Sequence, residues 1–110
     1  MKKIYLLIYN SGLGTRDEIK AILDALPQVI SWRYDLPNAF FIVSESNAKE
    51  LAEVIRARAL EISIDREKGM FLIVDITDSD NIDSLYGWLA QESWFFMFDH
   101  MLKNQEKLNG

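Results

Sequence analysis

Apolar side chains fill both alternating sets of residues 3–9, KIYLLIY. Ile4, Leu6 and Ile8 point one way, and Tyr5, Leu7 and Tyr9 the other, which predicts a strand covered on both faces. A small polar loop, NSGLG, follows. Thr15-x-x-Glu18 then has the form of a capping box. Ile19, Ile22, Leu23 and Leu26 repeat at helical spacing, so an amphipathic helix is expected to run up to Pro27. Ile30, Trp32 and Tyr34 alternate with Ser31, Arg33 and Asp35, the pattern of an edge strand with one wet face. Residues 39–44, AFFIVS, are apolar throughout and suit a central strand. Asn47-x-x-Glu50 opens a second helix with Ala48, Leu51, Ile55 and Ala59 on its inner side. A polar connection turning at Gly69 leads to a fourth apolar strand, MFLIVDI, at 70–76.

The predicted order β-α-β-β-α-β is that of an α+β, ferredoxin-like split βαβ domain, whose first and third strands are usually central. The two continuously apolar strands of this chain are its first and third. A single domain spans residues 1–110, with a core over 2–77 and a C-terminal extension over 78–110. Within the extension, WLAQESWFFMFDHML (88–102) places Trp94, Phe95, Phe98, Met101 and Leu102 on one helical stripe. Its length and scarcity of β-branched residues favour helix. Two helices cover only one face of such a sheet, and a large open apolar face is unusual on a soluble monomer. The C-terminal segment, a second copy of the chain or both must cover that face. A homodimer packed partly sheet to sheet, with Tyr5, Leu7, Trp94, Phe95 and Phe98 at its interface, is favoured over a monomer whose tail folds across its own sheet.

Composition narrows the function. The 110 residues carry a formal charge of −5. That balance disfavours non-specific binding to a polyphosphate backbone, although a local basic patch can oppose it. The chain has no cysteine, which excludes disulfides and thiolate metal sites and fits a reducing compartment. The N-terminal apolar run is too short for a signal peptide and carries two tyrosines. No stretch reaches the roughly 18 apolar residues of a membrane span. A cytoplasmic protein without a membrane contact is expected.

The glycine loop lacks the lysine and spacing of a Walker loop and the third glycine of a dinucleotide fingerprint. Ser11, Thr15 and Arg16 stand near a helix start that Asp17 and Glu18 already occupy, so a plain strand-to-helix turn is the better reading. The acidic run from Asp75 through Asp78 to Asp83 has Ile82 where an EF-hand needs a ligand, and reads as a solvated loop. Asp75 is the exception: it lies inside the apolar strand on the parity of Phe71 and Ile73, the surface assigned to the dimer, and is expected either near Asn10 or bonded to backbone or an arginine. His100, the one histidine, has no nucleophile motif beside it, and a helix-surface or interface role is favoured. The aromatic residues of the extension, Trp88 among them, lack interleaved basic residues and read as packing surface.

Four stretches, KIYLLIYN, VISWRYDLPNAFFIVSES, FLIVDITDSD and GWLAQESWFFM, together resemble the SinR-like proteins over most of residues 2–98. These are relatives of the small CRISPR-associated ferredoxin-fold endonucleases and of the VapD toxins. The resemblance implies a ferredoxin-like fold and a homodimer. In the nuclease members the first strand ends in Tyr-Asp, and the aspartates of two copies are thought to share a divalent metal. Here Tyr9 and Asn10 stand at those positions. A carboxamide offers one neutral oxygen and cannot act as a base at pH 7, so two facing asparagines bring no negative charge to a cation. The resemblance marks Tyr9 and Asn10; with Ser11 and Arg16 beside the helix start and Asp75 of the fourth strand they make the candidate site, with no metal or other cofactor expected unless the endonuclease reading holds. Two functions follow from it. One is a non-catalytic module that contacts protein or nucleic acid. The other is a small Mg²⁺-dependent endonuclease using Asp75 and Asp78.

Overall fold

A computed structural model describes residues 1–77 and 91–100. Asp78, Trp88, Met101 and Leu102 lie outside the described residues, as do the side chains of Trp94, Phe98 and His100. The elements are β1 (Lys3–Tyr9), α1 (Arg16–Ala25), β2 (Val29–Arg33), β3 (Ala39–Ser44), α2 (Ala48–Ile62), a 3₁₀ turn (Ile64–Lys68), β4 (Phe71–Asp75) and α3 (Gln91–His100). The described residues form an α+β structure with one four-stranded antiparallel sheet, ordered β2-β3-β1-β4. The two continuously apolar strands, β1 and β3, lie at its centre.

Both helix starts are built locally. At α1 the Thr15 hydroxyl accepts from the Glu18 amide at 3.2 Å, while the Glu18 carboxylate accepts from the Thr15 amide at 2.9 Å. At α2 the Asn47 side chain accepts from the Glu50 amide at 2.8 Å. Each reciprocal or single cap satisfies donors that the first helical turn leaves without partners.

Helices α1 and α2 cover one face of the sheet. Ile19, Ile22 and Leu23 of α1 and Leu51, Ile55 and Ala59 of α2 bury against Tyr5, Leu7, Tyr9, Phe40 and Ile42. On the other face α3 sets Met97 into a smaller cluster with Ile4, Phe41, Val43 and Ile76. Arg33 of β2 holds the start of α3, donating from Nε to the buried Ser93 hydroxyl at 2.6 Å. The double apolar parity of β1 thus has a cause on each side: two helices on one, α3 on part of the other.

Two sequence expectations change here. Tyr5 and Leu7, expected at a dimer interface, are fully buried beneath α1 and α2. A strand apolar on both faces does not say which set lies under the helices. The set left partly open is Leu6 and Ile8. Ile30 was expected on the same side as Trp32 and Tyr34, yet it is 47% exposed. The pairing of β2 with β3 slips between Val29 and Ser31, and that bulge reverses the parity, so Val29 packs inward in its place.

Candidate functional site

The loop after β1 is closed by its own first residue. Asn10 donates its amide to the Met70 carbonyl at 3.0 Å, and its side-chain Oδ1 accepts from the Met70 amide at 3.0 Å. Its carbonyl also accepts from the Leu13 amide at 3.2 Å. These three bonds tie the end of β1 to the start of β4 and turn the chain toward α1. The one side-chain oxygen that could approach a cation is engaged with backbone.

A second clasp comes from Arg66, on the 3₁₀ turn. Its Nη1 donates to the Leu13 carbonyl at 2.7 Å, and its Nη2 donates to the Glu18 carboxylate. The guanidinium passes over Gly14, whose φ of +152° lies where side-chain-bearing residues rarely go. Any Cβ there would land on Arg66 Nη1. Opposite, Gly69 lets the 3₁₀ turn approach the loop: a Cβ at that position would sit 2.6 Å from Leu13 Cα and 2.7 Å from Leu13 N. The loop 10–15 and the turn 64–70 are therefore one locked unit. The Glu18 carboxyl is held below the usual carboxylate range, first by the Thr15 amide and then by Arg66.

The remaining predicted residues are divided between the two ends of the sheet. Tyr9 is buried, with its hydroxyl donating to the Pro37 carbonyl at 3.3 Å. Burial raises its phenol above the ordinary tyrosine value, against the opposing pull of Arg16. Its ring stacks on Phe40, which also meets Trp32 and Tyr34 edge-on. Arg16 is exposed and lies over the Tyr34 ring at 4.8 Å, with Lys20 near Trp32 and Tyr34 at 5.8 and 5.7 Å. Basic and aromatic groups do interleave, then, but on α1 and β2, away from the aromatic extension. Asp24 accepts from the Trp32 indole at 2.7 Å, and Asp17 lies 3.8 Å from Lys20, so the face is charge-balanced. Ser11 is exposed on the loop.

Asp75 stands at the far end of β1, opposite Tyr5. Five strand positions separate it from Met70, which places it about 16 Å from Asn10 along the sheet. Its Oδ1 accepts from the Thr77 amide at 2.9 Å, and its Oδ2 lies 3.7 Å from Lys3 Nζ. The structure thus brings Tyr9, Asn10, Ser11 and Arg16 around one loop and leaves Asp75 outside it. Of the expected interface residues, Phe95 is exposed on α3. A depression of about 360 Å³ lined by Pro27, Gln28, Ile30, Glu45, Ser46 and Glu50 contains none of the candidate residues.

The residue that sequence reasoning missed is Arg66. Its partners lie 48 and 53 positions away, and it sits in a run of mixed charge, DREK, that resembles any solvated connection. Comparison with family models, with curated proteins and with solved structures returns no match.

Proposed function

We propose that this chain is a non-catalytic, homodimeric module of the ferredoxin-like type, related to the SinR-like and CRISPR-associated proteins, and that it acts through contacts with protein. The sheet order β2-β3-β1-β4, with α1 and α2 on one face, supports the ferredoxin-like assignment. The observation that carries the functional reading is the bonding of Asn10. At the position where the resembling nucleases carry an acid, this chain has a carboxamide whose oxygen accepts from the Met70 amide. Asp75, the nearest candidate substitute from the sequence, is engaged with Lys3 and Thr77 at the other end of the strand. The charge of −5 favours protein over nucleic acid as the contact.

No helix among the described residues is long and apolar enough to cross a membrane. A partner is therefore sought at the protein's own exposed surfaces, and a second copy is the first of them.

The test is incubation of the full chain with Mg²⁺ or Mn²⁺ and single- and double-stranded DNA and RNA. Intact substrates are expected. Metal-dependent cleavage that Asp75→Ala abolishes would replace this reading with the endonuclease built on Asp75 and Asp78.

A further inference from the structure

The two edges of the sheet differ in kind. Strand β2 is broken by its bulge and carries Ser31 and Arg33 on its α3 side, devices that discourage pairing with another chain. Strand β4 has no bulge, proline or glycine, and its one charge, Asp75, is already beside Lys3. Among the described residues, no strand pairs with its outer edge.

The direction of the free backbone groups follows from the bonds on the inner edge. Ile76 donates to the Ile4 carbonyl, and Met70 accepts from the Asn10 amide. In an antiparallel ladder such residues alternate, so positions 70, 72, 74 and 76 turn toward β1. Phe71, Ile73 and Asp75 therefore direct their N–H and C=O groups away from the sheet. This is a three-residue hydrogen-bonding array centred on Ile73.

Exposed apolar side chains are dense on β4 and in the chain that leads to it. Among the described residues, ten large hydrophobic side chains are exposed, and five of them fall within residues 62–74: Ile62, Ile64, Met70, Leu72 and Val74. Leu72 is 59% and Val74 37% exposed, and they flank Ile73 symmetrically. On the inner side they pair with Ile8 and Leu6, so the apolar strip continues from the edge onto β1.

From these features we infer that β4 pairs antiparallel with β4 of a second copy about a two-fold axis at Ile73, joining two sheets into one of eight strands. The inference rests on the homodimer proposed above and moves its contact from the sheet face, part of which α3 covers, to the sheet edge. The register is self-complementary. Ile73 meets Ile73 of the second copy and Phe71 meets Asp75, so all three outward residues of each copy find backbone partners. Leu72 then faces Val74 of the second copy in a non-hydrogen-bonded pair, and the two apolar strips become continuous. A shift of one position would bring Leu72, Val74 and their like opposite the outward bonding positions and leave the array mismatched.

The absence of native cysteine makes the register directly readable. Leu72→Cys and Val74→Cys chains are prepared separately, mixed, and oxidised mildly at micromolar concentration. Both side chains are exposed, so neither substitution disturbs the core. Facing positions in a non-hydrogen-bonded pair have Cα atoms about 4.5 Å apart, within disulfide reach, whereas either variant alone presents a diagonal of about 7–8 Å. The mixture is expected to give several-fold more covalent dimer than either variant alone, and Ile8→Cys, on the sheet face, is expected to give little. Light scattering on the unmodified chain separates the two levels of the proposal. A dimer that links through Ile8→Cys, or that fails to link in the 72/74 mixture, overturns the edge pairing and leaves the homodimer standing. A mass of 12.8 kDa, that of one chain, overturns both.

Discussion

Replacing Gly69 with alanine is expected to destabilise the fold by about 3 kcal/mol, the upper end of what overpacking costs. The backbone angles are not the reason, since φ −67° and ψ 136° at Gly69 suit alanine well. The cost is steric. The new Cβ would sit 2.6 Å from Leu13 Cα, 2.7 Å from Leu13 N and 3.0 Å from the Arg66 carbonyl. All three atoms belong to backbone, so no side chain can swing aside. Relief requires the 3₁₀ turn to retreat from the loop, which breaks the Arg66–Leu13 bond and strains the Asn10–Met70 pair. Gly12→Ala is the milder comparison: its Cβ would meet Asn10 Oδ1 at 3.2 Å, Gly69 Cα at 3.3 Å and the Lys68 carbonyl at 3.4 Å, tight contacts without the overlap found at Gly69, and a loss of about 1 kcal/mol is expected there. Urea unfolding of both variants makes the comparison. A Gly69→Ala protein within about 1 kcal/mol of the parent would mean that loop and turn are not locked together.

Arg66→Ala is expected to cost about 2 kcal/mol, chiefly from leaving the buried Leu13 residue with a carbonyl that has lost its donor. The figure is kept below that of a fully satisfied buried pair, because Arg66 Nε finds no acceptor among the described residues and Glu18 is partly exposed. Arg66→Lys is not expected to restore the loss, since one ammonium cannot serve two acceptors with the geometry of a planar fork. The same clasp has a pH signature. Glu18 titrates below the usual carboxylate range in the folded chain. Its contribution is thus present above that range and lost as pH falls through the lowered value. Glu18→Gln is expected to flatten the acid limb of the stability curve. Arg66→Ala is expected to flatten it only in part, because the Thr15 amide is the larger cause of the shift. An unchanged acid limb in Glu18→Gln would contradict this assignment.

What the sequence disclosed, it disclosed through short-range pattern. The Thr15/Glu18 capping box, the inner face of α1 and the apolar runs of β1 and β3 are each written within a few residues, and each appears where the spacing puts it. What it withheld depends on long-range choices. Strand β1 is apolar at every position from Ile4 to Tyr9, so periodicity alone could not tell that Tyr5 and Leu7, and not Leu6 and Ile8, lie under the helices. The bulge that turns Ile30 outward leaves no proline or glycine in VISWR to announce it. Arg66 finds its partners half a chain away. Asn10 was legible as a position of interest only through the resemblance drawn from the sequence, in which a carboxamide stands where the resembling nucleases carry an acid. Its bond to Met70, which gives that replacement a structural role, was not.

The loop's character follows from these pieces together. Its glycines serve close approach and turning, and the residue at the head of it serves as a pin between β1 and β4. If Asn10 is such a pin, an aspartate introduced there should create no catalysis. An aspartate can still accept from the Met70 amide, while Asp75 remains about 16 Å away along the sheet. The decisive measurement is a nuclease assay on Asn10→Asp with Mn²⁺ and single- and double-stranded DNA and RNA. Substrates as intact as with the parent chain are the predicted result, and the appearance of Mn²⁺-dependent cleavage would show that position 10 is a metal site lacking only its carboxylate.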